Sequence, residues 1–175
     1  VYNLSTSLTP TVDCIQIDVS NVLLACLGFN VTQTSLGTSI DAVSVSNVTV
    51  QNCGAYFTSA AGPFFNDAGI WFQSVENSSI VNSTVRVNAT PGVVVASSVN
   101  VTLTNSSIYS TATYSILFNG TNESFITNTS QPSSQAEYGF YLLVSHDNLL
   151  SNISSSELIR FENSTRTVVS HTQIV

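Results

Sequence analysis

The chain has 175 residues, 43% of them apolar and only 7% charged, with three arginines, no lysine and a net charge of −7. So sparse a basic complement excludes nucleic-acid binding, which needs Lys and Arg against the phosphates. The apolar residues come in runs of about five, far short of the roughly 20 that a membrane-spanning helix requires. A chain this rich in short apolar runs is not disordered either.

In chain order, residues 1–11 form a polar lead with Pro10 near its end, expected as an N-terminal extended arm or a first edge strand, and residues 12–175 form one folded domain. Residues 14–19 alternate apolar and polar as a strand does, and a second apolar run follows over 22–27. Residues 43–50 read as a strand pair. The longer excursion 54–69 carries Tyr56, Phe57, Phe64 and Phe65, with Trp71 on the strand that follows. These aromatics are a candidate contact for a ligand or partner; the competing reading folds the loop over the flank as a satellite core.

From residue 69 the chain repeats itself. Gly69-Ile70-Trp71-Phe72 leads through Ile80-Val81-Asn82 to Val85, and Gly92-Val93-Val94-Val95 leads through Leu103-Thr104-Asn105 to Ile108, a period of 23 residues. The apolar-x-Asn unit recurs with Asn52, Asn128 and Asn152, and more weakly with Cys26 and His171, in steps of 26, 30, 23, 23, 24 and 19 residues. Gly139-Phe140-Tyr141-Leu142 opens a later copy. Short β-branched runs at a fixed period of this size predict a solenoid whose rungs stack. Asn52, Asn82, Asn105, Asn128 and Asn152 are expected to form an internal ladder at one corner, their amides bonded to each other and to backbone.

The pattern Gly-Ile-x-Phe, Asn-x-x-Ile-x-Asn and Ser-x-Val over residues 69–85 resembles the parallel β-helix repeat of right-handed pectate-lyase-like proteins. In style it is close to the Asn-rich surface β-helices of archaea and bacteria. The resemblance covers residues 12–175 and implies an all-β fold, a right-handed parallel β-helix of about seven rungs with three short strands per turn and aliphatic and Asn stacks inside. It implies little about function, because the same coil hosts lyases, hydrolases, adhesins and fibres.

Thirteen of the seventeen asparagines lie in N-x-Ser/Thr sequons. That excess predicts an exported, N-glycosylated protein at the cell surface or outside it, although a repeat that places Ser or Thr after Asn also multiplies sequons. With the ladder asparagines inside, the expected glycan carriers are Asn30, Asn47, Asn77, Asn88, Asn100 and Asn119. The chain contains no Met, which fits a start at Val1 left by signal-peptide removal.

Cys26 and Cys53 occupy neighbouring slots on successive rungs, a spacing a disulfide can bridge, with Cys14 able to replace either. His146 and His171 lie 25 residues apart but in different slots, so a structural role is expected and no metal or other cofactor. The carboxylates, among them Asp67, Glu76, Glu123 and Asp147, are scattered singly, and no lysine stands as a base. These features predict a non-enzymatic structural glycoprotein, a subunit of an archaeal surface filament or coat that self-assembles head to tail through uncapped end rungs. The alternative is a carbohydrate-binding or adhesin module that uses the 54–69 loop and Trp71, with a polysaccharide lyase or hydrolase third.

Overall fold

The computed structural model describes residues 1–9, 14–35, 37–58, 67–132 and 136–174, and every strand pair in it is parallel. Three sheets run side by side along one coil of about seven turns. The first contains Tyr2–Asn3, Leu23–Ala25, Thr49–Gln51, Glu76–Val81, Val99–Thr104, Phe125–Thr127, Leu149–Ser151 and Val168–Ser170. The second contains Asn30–Gln33, Gly54–Phe57, Thr84–Val87, Ser107–Ser110, Ser130–Gln131, Ser154–Ser155 and Gln173–Ile174. The third contains Ile15–Ile17, Ile40–Val43, Ile70–Gln73, Val93–Ala96, Tyr114–Asn119, Tyr138–Leu143 and Leu158–Glu162. The chain visits the sheets in the order third, first, second on each turn, so residues one period apart become neighbours about 4.8 Å apart.

Strand alternation turns one set of side chains inward, and equal positions on successive turns stack into columns. In the third sheet Ala42, Phe72, Val95, Phe118 and Leu142 are in register and buried. Large and small residues alternate along that column, which lets the layers interdigitate at interior density. Val50, Ile80, Leu103, Ile126 and Leu150 form the matching column of the first sheet. Tyr2–Asn3 pair with Leu24 and Ala25, and Leu8 bridges to Val31, so the amino-terminal segment lies along the first turn.

The bends explain the asparagines. Asn52, Asn82, Asn105, Asn128 and Asn152 join the first sheet to the second, and all have left-handed backbone with φ between 47° and 54°. That conformation costs most L-residues roughly 1–2 kcal/mol, and Asn is among the few that adopt it routinely. The expected internal ladder is corrected here: Asn82, Asn105, Asn128 and Asn152 are exposed and Asn52 is half-buried. Their amides face solvent at the corner, where Asn152 Nδ2 donates to Asn128 Oδ1 at 3.2 Å. A second row of left-handed residues, Asn21, Asn47, Asn77, Asn100, Glu123, Asp147 and Arg166, opens the first sheet on each turn.

The polar ladder inside the coil is made mostly of serine, with Thr121, Thr129 and Asn148 in equivalent places. The residue after each left-handed corner turns inward, and there Ser98 Oγ donates to the Ala96 carbonyl at 2.7 Å while accepting the Val75 N–H at 3.1 Å. Ser106 does the same for Thr104 and Ser83, and Ser78 for Glu76 and Val48. These hydroxyls satisfy buried backbone groups where the bend interrupts the strand ladder. The bend from the second sheet to the third differs. The strands it joins are separated by unequal lengths of chain, the longest running from Phe57 to Ile70, and that length produces the 30-residue step.

Candidate functional site

The outer face of the third sheet holds the richest side-chain chemistry. Because Ile70 and Phe72 point into the core, Trp71 between them points out, and the register puts Asp41, Trp71, Val94, Leu117, Tyr141 and Arg160 in one outward column. The middle of that column is apolar and close-fitting: Val94 is only 1% exposed although it faces away from the core. Tyr114 and Tyr138 are rung partners in a parallel column. The Tyr141 ring lies 5.5 Å from Tyr114 and 5.7 Å from Tyr138, within the range of favourable aromatic contact.

Arg160 organises the polar end of this platform. Its guanidinium lies 5.1 Å from the ring centre of Tyr138 and 5.3 Å from that of Tyr141. It donates from Nη1 to Tyr138 Oη at 2.7 Å and from Nη2 to Glu162 Oε2 at 2.6 Å. Tyr141 Oη donates to the same Glu162 oxygen at 2.8 Å, and Tyr138 Oη donates to Glu137 Oε1. Two carboxylates, Glu137 and Glu162, are thereby tied to opposite ends of one phenol–guanidinium bridge. The Tyr141 hydrogen bond, and then Arg160, hold the Glu162 carboxyl below its usual range. Desolvation first, then the hydrogen bond and charge of Glu162, push the Tyr141 phenol up. At neutral pH the site therefore presents an ionised carboxylate beside a protonated phenol, at the end of an aromatic strip open to solvent.

The residues singled out from sequence are distributed differently. Tyr56 sits on the outer face of the second sheet and Trp71 on that of the third, so they do not form one site. Phe57 is corrected as a contact residue: alternation turns it inward, where it is 1% exposed in the core. Phe64 and Phe65 lie outside the described residues. Glu123 and Asp147 take left-handed corner slots, Asp147 paired with Arg166, while Glu76 pairs with Val99 one position earlier. His146 Nδ1 contacts Thr165 Oγ1 at 2.8 Å, and His171 is a corner residue at the opposite end of the first sheet. Among the described residues no group of three or more metal-ligating side chains occurs.

Cys26 and Cys53 are joined, their Cα atoms 4.7 Å apart, and the Cys14 thiol donates to Gln33 Oε1 at 3.2 Å. Asn30, Asn47, Asn77, Asn88, Asn100 and Asn119 are exposed. Asn47 and Asn100 give an amide hydrogen to Asn21 and Asn77. Sequence reasoning missed Tyr114, Tyr138, Glu137, Arg160 and Glu162 as a group. Tyr141 was within reach, since Gly139-Phe140-Tyr141-Leu142 repeats Gly69-Ile70-Trp71-Phe72 and so shares the outward position of Trp71.

Residues 11–152 and 68–175 each match the sequence profile described as the right handed beta helix region. Among solved structures the chain is similar to a proposed glycosyl hydrolase from Parabacteroides merdae, with a TM-score of 0.62 at 8% identity over 86% of this chain and 81% of that one. It is also similar to the A-module of a mannuronan C-5 epimerase from Azotobacter vinelandii, with a TM-score of 0.48 at 10% identity over 97% of this chain and 57% of that one. Comparison with curated sequences gives no match. At such identities the likeness establishes the coil alone.

The expectation of a non-enzymatic filament or coat subunit is corrected by these findings. A solved structure that shares the coil is described as a proposed glycosyl hydrolase, and nothing observed supports a filament. Its filament part rested on end rungs read as uncapped, and its non-enzymatic part on carboxylates scattered along the sequence. The coil removes the scatter by placing Glu137 and Glu162, distant in sequence, on adjacent turns of one hydrogen-bonded network.

Proposed function

Because the chain belongs to the right-handed β-helix family, we propose that it is a polysaccharide-processing protein that lays a glycan along the outer face of its third sheet. The carrying observation is the joining of Glu137 and Glu162 through Tyr138 and Arg160 at the end of an aromatic strip. Glycoside hydrolysis uses two carboxyl groups flanking the scissile bond. Glu162, held ionised, serves as base or nucleophile, and Glu137 is the second carboxyl group of the pair. Trp71 and the tyrosines supply the apolar ring faces on which sugars stack. The proposed glycosyl hydrolase with the same coil is in keeping with this reading.

The test is release of reducing ends from a panel of neutral and acidic polysaccharides. Glu162→Gln is expected to lower kcat about 10²–10⁴-fold, the usual worth of a positioned acid or base, with the melting temperature unchanged. Trp71→Ala is expected to raise KM about tenfold through lost stacking. Cleavage of no polysaccharide by the wild type, or an undiminished rate in Glu162→Gln, overturns the assignment.

Export and N-glycosylation belong to the same reading, supported by the thirteen sequons and by a disulfide that needs an oxidising compartment. Peptide mapping of material from the native source is expected to find glycan on some of Asn30, Asn47, Asn77, Asn88, Asn100 and Asn119. Unmodified peptides at all six sites would dispose of it.

A further inference from the structure

The second sheet carries a separate constellation. Tyr56, Arg86 and Tyr109 stand on three successive rungs, in register and facing outward. The Arg86 guanidinium lies 5.3 Å from the Tyr109 ring centre. Tyr56, Thr58, Asn88 and Tyr109 surround it in a groove of about 340 Å³. Arg160 and Arg166 are both paired with carboxylates. Among the described residues Arg86 makes no hydrogen bond or ion pair, so its donors point unspent into the groove.

The surrounding charge is as telling as the arginine. The strands of the second sheet contain no Asp or Glu, so this face is locally positive on a chain of net charge −7. One guanidinium is too little for a nucleic-acid backbone, which demands several cations. It matches one carboxylate, which a planar guanidinium binds through two parallel hydrogen bonds. Tyr56 offers a ring face across the groove, and the Asn88 amide and Thr58 hydroxyl supply neutral polar groups at the rim. Tyr56 also walls a second depression of about 550 Å³ that runs past Asn30, Gly54 and Thr84, so the groove has room for more than one ring. At Gly54 the Asn30 amide and the Tyr56 ring pack directly over the backbone, where a Cβ would meet Asn30 Oδ1 at 2.2 Å and the Tyr56 ring at 2.8 Å.

We propose that the outer face of the second sheet binds an acidic sugar residue of an oligosaccharide, its carboxylate on Arg86 and its ring against Tyr56. This site is independent of the third-sheet assignment and lies on another face of the coil.

The test is titration of the full chain, produced without glycan because Asn88 lies on the rim, with a hexuronate oligosaccharide, its neutral hexose counterpart and inorganic sulfate. Glu162→Gln serves as background, so that turnover cannot consume the probe. The hexuronate is expected to bind at least about tenfold tighter than the hexose, in keeping with a charge-assisted bidentate contact. Arg86→Gln should erase that difference, Arg86→Lys should restore part of it, and Tyr56→Ala should weaken both sugars. Arg86 is exposed, so these variants are expected to fold normally, as circular dichroism checks. Equal binding of hexuronate and hexose, an unchanged difference in Arg86→Gln, or sulfate binding as tightly as the oligosaccharide overturns the proposal, and none of these bears on cleavage at the third sheet.

Discussion

Truncation of Phe118 to alanine is expected to lower the stability of the coil by about 3–5 kcal/mol, the range for deleting a fully buried aromatic. Phe118 has no exposed surface and lies between Val95 and Leu142 in its column. Those neighbours cannot close over the void, because each belongs to a rung held at fixed spacing by hydrogen bonds to the turns on either side. The cavity term therefore adds almost in full to the lost transfer energy. For a chain of this size the melting temperature should fall about 6–20 °C, and a shift in the urea midpoint at constant slope would measure the same loss. Phe161, a rung neighbour of Leu142 that is 41% exposed, is the control. Phe161→Ala should cost far less, because Phe161 ends the same inward column on the edge strand of the sheet, and equal losses at the two positions would contradict the account in which burial between two turns sets the cost.

Removal of the Cys26–Cys53 bond, by replacing both residues with alanine, should cost about 3 kcal/mol for a loop of this length. The bond staples two successive turns at the bend between the first and second sheets, and both cysteines are buried. In a coil each turn touches only its neighbours, so the loss should be local. Amide exchange is expected to quicken over residues 23–57 while the strands beyond residue 93 keep their protection. Uniform loss of protection along the whole chain would mean that the coil unfolds as one cooperative unit, and the local account would fail.

Much of the architecture was readable before any coordinates. The 23-residue period and the stacking of short apolar strands are legible in the repeat, and in the coil alternation turns Ile70 and Phe72 inward. Asn recurs because each turn needs a residue tolerant of left-handed backbone, and that demand is written into the local chemistry of the amide side chain.

What could not be read was direction and register at the bends. Whether Asn105 points inward or outward depends on how the two flanking strands diverge at the corner. In the fold the outward place went to Asn105 and the inward one to Ser106. The candidate site depended still more on the tertiary structure. Glu137, Tyr138, Tyr141, Arg160 and Glu162 meet because Tyr138–Leu143 and Leu158–Glu162 pair on neighbouring turns, with an irregularity between Tyr138 and Phe140, and that register leaves no periodic trace in an amino-acid sequence. Repetition determined the coil, since equal residues at equal spacing can bury themselves only by stacking. Only the folded coil decided which charged groups meet, because that depends on the register in which neighbouring turns pair.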